Sequence, residues 1–473
     1  MKEEFKIAWR NLWRNRRRTV ITSASVFFAV FFAVIMRSYQ LGTYDQMINN
    51  LIESFTGYLQ VQHNKYQDNP LIDNSFDYDE STVEAISRLD KVVSVTPHLE
   101  SFTLASNGIQ TKGVAVMAID PVKEKSFSDP ESKLVKYRIT EEAIKGLTDT
   151  GSVSDDLTDK LKMIPGRSYS SADRLKRELE LTEEEADLYL PEILRFTEVA
   201  NGYLTGDDAG ILVSDRLAGY LKVSVGDSVI LMGQGYHGVT ATGIFPVRGI
   251  IKIPSPEIDN KLIVMTIPAA QALFDAEGKI TSLVVNLTDK SSRTVKTVKA
   301  RINALLPDKN TTARTWYELN PVLYQQIQGD NQSGIAMLGL LYFIIFFGIF
   351  GTVLMMVSER KREFGVLVAI GMQKRKLKRI VAIEMMLLGA VGLAGGLLAG
   401  TPLILYYYHY PFVLKGELAN MMEEWGWEAV MPAAWFGPYF YWQAAIVALM
   451  VALATLYPLR KIEKMKETEA LKG

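Results

Sequence analysis

Three stretches of this chain, 19–36, 334–357 and 440–459, carry no charged residue, and a fourth, 380–408, carries only Glu384. A helix rises about 1.5 Å per residue, so crossing about 30 Å of hydrocarbon takes roughly 18–20 residues. Each stretch reaches or approaches that length, which predicts transmembrane helices over 19–40, 334–357, 380–408 and 440–459. The basic "RNRRRTV" before the first run could also open a secretory signal, but a signal has a shorter apolar core and a small-residue cleavage site. "IMRSYQLGTY" offers no such site, and the run is read as a retained helix.

Orientation comes from the basic residues. Residues 1–18 hold Lys2, Lys6, Arg10, Arg14, Arg16, Arg17 and Arg18, and the tail 460–473 holds Arg460, Lys461, Lys464 and Lys466. The segment 358–379 is equally basic. In contrast, 406–439 sets Lys415 against Glu417, Glu423, Glu424 and Glu428. Both termini and the 358–379 loop are therefore expected in the cytosol, with 41–333 and the short loop 409–439 outside. The formal net charge of −1 hides this segregation and gives no reason to expect nucleic-acid binding.

At 473 residues the chain has room for two or three domains. It has no cysteine, so the external part must be held by its core rather than by disulfides. "LGTYDQMINNLIESF" repeats Leu41, Tyr44, Ile48, Leu51, Ile52 and Phe55 at helical spacing, and Leu319, Leu323, Tyr324 and Ile327 do the same before the second span, predicting two outward helical continuations that form a stalk. Between them recur strand-like runs: "GYLQVQ", with Leu59 and Val61 alternating against Gln60 and Gln62, then "KVVSV", "GVAVMAI", "DSVILMG", "KLIVMTI" and "SLVVNL". A charged, helix-friendly piece at about 130–205 interrupts them. The fold class expected is an α-helical membrane protein with four transmembrane helices and a large α+β extracytoplasmic domain between the first and second.

The N-terminal segment places Phe5, Ala8, Trp9, Leu12 and Trp13 on one helical face, with Lys6, Arg10, Arg14 and Arg17 outside it, the pattern of a helix lying in the membrane interface.

Enzymatic signatures are missing. The four histidines, at 63, 98, 237 and 409, form no HExxH, and there is no GxSxG elbow and no GxxxxGK[ST] loop. The chain is therefore not expected to hydrolyse ATP; a nucleotide motor would be another chain. "GQGYHG", Gly233–Gly238, fits GxGxxG, but it runs into the β-branched "VTATGIFPVRGIIKI" rather than into the helix needed to receive a pyrophosphate, so it is read as a hairpin loop.

The stretch "SERKREFGVLVAIGMQKRKLKRIVAIE", 358–384, carries the chemistry of interest. A helix from about Glu359 to Ile370 would have Phe364, Leu367 and Val368 as an apolar side able to press into a partner's groove, and Gly371 would end it in a left-handed cap. Lys374, Arg375, Lys376, Lys378 and Arg379 need no explanation beyond topology, whereas topology does not require the acidic Glu359 and Glu363. Glu384, about a turn inside the third span, is either functional or a partner for Arg379 or Lys378. Gly392, Gly396 and Gly400 form GxxxGxxxG, allowing close packing within one subunit or across a dimer.

That same stretch resembles the cytosolic loop of the FtsX/MacB-like superfamily of ABC-transporter permeases, through Glu359, Arg360, Glu363, Gly365, Ala369, Gly371 and Glu384. "AWRNLWRNRRRTVIT" and "YPLRKIEKMKETEALK" resemble the family's start and close, and "GILVSDRLAGYLKVSVGDSVILM" with "SPEIDNKLIVMTIPAAQALF" is similar to the lipoprotein-releasing LolC/LolE branch. The resemblance implies a MacB-like periplasmic domain on a helical stalk in a bacterial inner-membrane protein. It also implies two ATPase subunits that bind ATP and Mg, and a second permease copy, identical or related. Glu359, Arg360, Glu363, Phe364, Gly365, Leu367 and Gly371 would couple to the ATPase. A periplasmic lipoprotein carrier or an adaptor could be engaged, and three functions stay open: lipoprotein release, MacB-like efflux of small molecules or peptides, and FtsX-like regulation of a cell-wall hydrolase.

Overall fold

A computed structural model of the protein describes residues 2–14, 16–52, 56–289, 291–414, 416–424 and 429–464. Phe55, Lys415, Glu428 and Lys466 lie outside the described residues. The chain divides into two units: Met1–Met47, Val322–Lys415 and Ala429–Gly473 form one, Ile48–Pro321 with Gly416–Glu428 the other.

The first unit is helical. It contains α1 (Lys2–Arg14), α2 (Arg16–Leu51), α3 (Pro321–Glu359), α4 (Lys361–Ala369), α5 (Lys374–His409) and α6 (Pro438–Glu463). Of these, α2, α3, α5 and α6 are long and apolar enough to cross a membrane. The continuation expected beyond residue 40 belongs to α2, with no break. The second is divided: Trp316–Leu319 is its own turn, and Pro321, which has no N–H to leave unpaired, opens α3.

One core joins these helices, with Leu12, Val26, Val30, Val353, Phe364, Leu377, Leu388, Val447 and Ala454 in contact. The glycines of α5 decide how closely it lies on α2. A Cβ at Gly392 would stand 2.5 Å from the Ser23 carbonyl oxygen, and one at Gly396 would stand 2.8 Å from that of Phe27. The GxxxG contact is thus made within one chain. Gly400 takes no part, since a Cβ there would meet nothing within 4 Å.

The second unit is built on a sheet of nine strands: β1 (Leu59–His63), β2 (Val92–Ser106), β3 (Thr111–Ile119), β4 (Ile211–Ser214), β5 (Ser228–Gln234), β6 (Thr240–Ile251), β7 (Leu262–Thr266), β8 (Ser282–Leu287) and β9 (Thr311–Thr315). Their order is β9-β1-β8-β2-β3-β7-β4-β6-β5. The 15-residue β2 serves two neighbours on one edge. Its first half pairs with β8 (Val95↔Val285), and its second half with β5 (Leu104↔Met232). The β2–β5 pairing closes six strands into a barrel, filled by Leu99, Val116, Val213, Leu231, Phe245, Ile263 and neighbours and plugged by Leu217, Leu221 and Phe274. The remaining strands are backed by the helices Glu80–Ser87 and Ser292–Leu305 over a second core of Leu59, Val61, Ile86, Val285, Val298 and Ile302.

Two details differ from the sequence reading. Gln60 and Gln62 are buried rather than facing solvent, and the Gln62 Nε2 donates to the Gln60 Oε1 at 2.7 Å. β1 is an interior strand of the sheet, paired on its two edges with β8 and β9. The β4, β6 and β9 strands had no alternating run to mark them. "GQGYHG" is indeed a hairpin connection, with β5 and β6 antiparallel on either side of it.

The 130–205 interruption is a helical insertion. Helices Glu141–Asp149, Asp155–Lys162, Ala172–Glu178 and Glu183–Thr197 are each opened by a Ser or Thr cap, Thr140, Ser154, Ser171 and Thr182. They enclose Leu147, Leu161, Leu175 and Ile193. Arg138 ties the insertion to the barrel, donating from Nη2 to Asp215 Oδ1 at 2.5 Å; Lys252 Nζ lies 3.1 Å from the other Asp215 oxygen and 3.5 Å from Asp259.

Candidate functional site

The site is the α3–α4–α5 connection with α1 against it, all within the helical unit. Arg360 interrupts the helix between α3 and α4. At the far end Gly371 has φ +101°, its N–H donates to Val368 O and that of Met372 to Leu367 O, both at 3.0 Å. These two bonds are the Schellman arrangement, which satisfies the last carbonyls of α4.

Four elements meet through charge. The Arg360 Nη1 donates to both carboxylate oxygens of Glu384 at 2.9 Å, and Asn11 of α1 also hydrogen-bonds that carboxylate. Arg360 Nε lies 3.3 Å from Glu363 Oε2, and Arg14 Nη2 donates to the same oxygen at 2.5 Å. The Arg360 guanidinium also sits 5.1 Å from the centre of the Phe364 ring. Glu384 and Arg360 are largely buried, at 3% and 15% side-chain exposure, while Arg14 and Glu363 are more than half exposed. Burial alone would raise the Glu363 carboxyl, but the hydrogen bonds from Arg14 and Arg360 outweigh it and hold it below its ordinary value.

Two expectations are corrected by this geometry. Glu384 is not paired with Arg379 or Lys378: Arg379 is exposed, and Lys378 Nζ is 2.7 Å from Glu463 of α6. At about 100° per residue, positions 378 and 379 lie on other faces of α5 than 384 does. Nor is the Phe364 side of α4 free for a partner. Phe364 is 2% exposed in the chain's own core, Gly365 is buried with it, and Leu367 and Val368 pack against that core. The outward stripe is Arg362, Val366, Ala369 and Ile370, with Ile370 76% exposed. Glu359, Arg362 and Gly371 are also on the exposed side.

The apolar face of α1 divides by contact: Ala8 and Leu12 are buried against α5, while Phe5, Trp9 and Trp13 beside them are exposed.

Four helices of membrane length, a large α+β unit inserted after the first, and a charged helix-break between the second and third describe a multi-pass membrane protein. Residues 335–466 match the FtsX-like permease C-terminal family. Over those residues the chain resembles permeases of the FtsX/MacB/LolC-like group. It is 23% identical over 277 residues to the lipoprotein-releasing system transmembrane protein LolC of Xylella fastidiosa strain 9a5c, covering 55% of this chain and 64% of that protein. LolC of Neisseria meningitidis serogroup B gives 23% over 281 residues, with the same coverage. The chain thus spans just under two thirds of these relatives' own length. Among solved structures, the periplasmic region of MacB from Actinobacillus actinomycetemcomitans aligns with 60% of this chain and 98% of its own at 13% identity and a TM-score of 0.30.

Proposed function

We propose that the chain is the permease subunit of an ABC transporter that releases lipoproteins from the bacterial inner membrane, driven by a separate ATPase docked on α4. The observation that carries this reading is the division of α4 into two sides. Phe364 locks one side into the helical core, and Val366, Ala369 and Ile370 are left uncovered beside Arg362. Behind that stripe, Arg360, Glu363, Glu384, Asn11 and Arg14 tie α4 to α1 and α5, so a push on α4 is delivered to both. Two ATPase copies would bind ATP and Mg, and two permeases, identical or related, would carry their motion to external domains. A nucleotide can shift the permease only as far as its differential affinity for the two states allows. The basic ends of the helices favour both termini and α4 in the cytosol. The LolC relatives favour lipoprotein as cargo over efflux or hydrolase regulation.

Affinity purification from native membranes with mass spectrometry of the eluate tests the reading. An ABC ATPase with lipoproteins or their carrier should co-purify, and Ile370→Glu should remove the ATPase while the permease still inserts. Undiminished ATPase recovery with Ile370→Glu would defeat the docking surface. Recovery of a cell-wall hydrolase, or of an efflux adaptor, in place of lipoprotein would defeat the cargo.

A further inference from the structure

At about 100° per residue the side chains of α1 fall into four stripes, one of them Glu3, Ile7 and Asn11. Glu4, Ala8 and Leu12 form the first, buried at 7%, 0% and 4% exposure where α1 packs against α5. Phe5, Trp9 and Trp13 form the second, left 50%, 43% and 56% exposed, with the two indoles edge to face at 6.2 Å. Lys6, Arg10 and Arg14 form the third, beside the aromatic one, and Arg16 and Arg17 extend the cations into the start of α2. Among the described side chains from Glu3 to Arg17, the only exposed acid is Glu3. Arg14 is engaged by Glu363; Lys6, Arg10 and Arg17 remain to face outward.

We propose that Phe5, Trp9 and Trp13, with Lys6, Arg10 and Arg17, form a docking surface for the headgroups of anionic phospholipids in the leaflet where α2 begins. Exposed indoles settle at headgroup depth, where ring and N–H are both accommodated. An aromatic stripe at that depth carries the adjoining cations into the phosphate layer, and charge complementarity then selects anionic over zwitterionic lipid. This lipid surface is independent of ATPase docking on α4, because it holds whichever side of the membrane α1 occupies. Its consequence is mechanical: headgroups that seat α1 also fix Arg14, and through it Glu363 of α4.

The full chain can be tested in phosphatidylcholine vesicles that contain either brominated phosphatidylglycerol or an equal amount of brominated phosphatidylcholine, with quenching of tryptophan fluorescence as the readout. The Trp9→Phe/Trp13→Phe variant isolates the α1 signal from the other five tryptophans. The Trp9 and Trp13 component should be quenched several-fold more by the brominated phosphatidylglycerol. Each of Lys6→Gln, Arg10→Gln and Arg17→Gln should lower that preference, about fivefold for a cation fully in the headgroup layer. Equal quenching by the two lipids would overturn the proposal, since the face would then touch lipid without selecting charge. Absence of quenching by both would also overturn it, because a protein surface would be covering the face. Helix content by circular dichroism, unchanged in the single Gln variants, separates loss of selectivity from loss of the fold.

Discussion

Arg360 Nη1 stands 2.9 Å from both carboxylate oxygens of Glu384, joining the break after α3 to the buried side of α5. A carboxylate in an apolar helix is costly unless paired, and removing one member of such a pair strands the other. Glu384→Leu should therefore destabilise the helical unit by about 3–5 kcal/mol, and Arg360→Met/Glu384→Leu should recover most of the loss. Thermal unfolding of the purified chain in lipid nanodiscs measures both. A double variant as unstable as the single one would mean that the pair is not what holds this corner.

The Arg14–Glu363 contact is of another kind. With both side chains more than half exposed, it is worth within about 1 kcal/mol, so Glu363→Gln should barely move the melting temperature. Its role would show in ATPase recovery instead. Glu363→Arg faces Arg14 and Arg360 with a third cation and should lower it, and Arg14→Glu in addition should restore part of it. The Glu363 carboxyl is held below its ordinary value of 4.5, so whatever it contributes is present above that pH and lost as pH falls through the folded value. ATPase association should accordingly be flat through neutral pH.

Gly392 and Gly400 lie on one repeat and should behave oppositely. Gly392→Val would press a side chain into the Ser23 carbonyl and Val26, and overpacking of that kind costs about 1–3 kcal/mol or more. Gly400→Ala has room, and should be neutral or stabilising by up to about 1 kcal/mol. Unfolding of the two variants side by side decides it; equal losses would contradict the close α2–α5 contact at Gly392.

In the sheet unit, His98 is fully buried on β2, its Nε2 3.0 Å from Glu124 Oε2, while Ser128 Oγ donates to the other oxygen at 2.5 Å. Burial alone would lower the imidazole, but Glu124 and Glu100 outweigh it and raise it to about 10. A raised value means that this contribution is complete below the ordinary 6.5 and is lost as pH rises through about 10. Near-ultraviolet circular dichroism should show this contribution to domain stability constant at mildly acidic pH and falling as pH rises from 6.5 toward about 10. His98→Leu should remove that alkaline fall and cost about 3 kcal/mol or more at neutral pH, because Glu124 is left buried without its partner.

What the sequence determined is what depends on neighbours along the chain. Four charge-poor runs become helices because hydropathy over roughly 20 residues settles that alone. Gly371 ends α4 because its φ of +101° is one that a glycine adopts freely. The charged 130–205 piece is helical because its caps and spacing are local, and "GQGYHG" is a hairpin because no helix-forming segment comes after it. The residues of the α4 stretch were also legible as a set, through Glu359, Arg360, Glu363 and Glu384 in one short span.

Only the tertiary structure decided which of them meet, and which way each helix faces. Glu384 finds Arg360 rather than the basic residues on its own helix, Phe364 turns into the core rather than toward a partner, and the apolar residues of α1 divide between α5 and the outside. The β2–β5 closure is likewise invisible in either strand, since one long strand pairs with different partners along a single edge. Periodicity tells which residues share a face. It carries no information about what occupies the space opposite, because that is set by segments hundreds of positions away, such as Arg14 against Glu363.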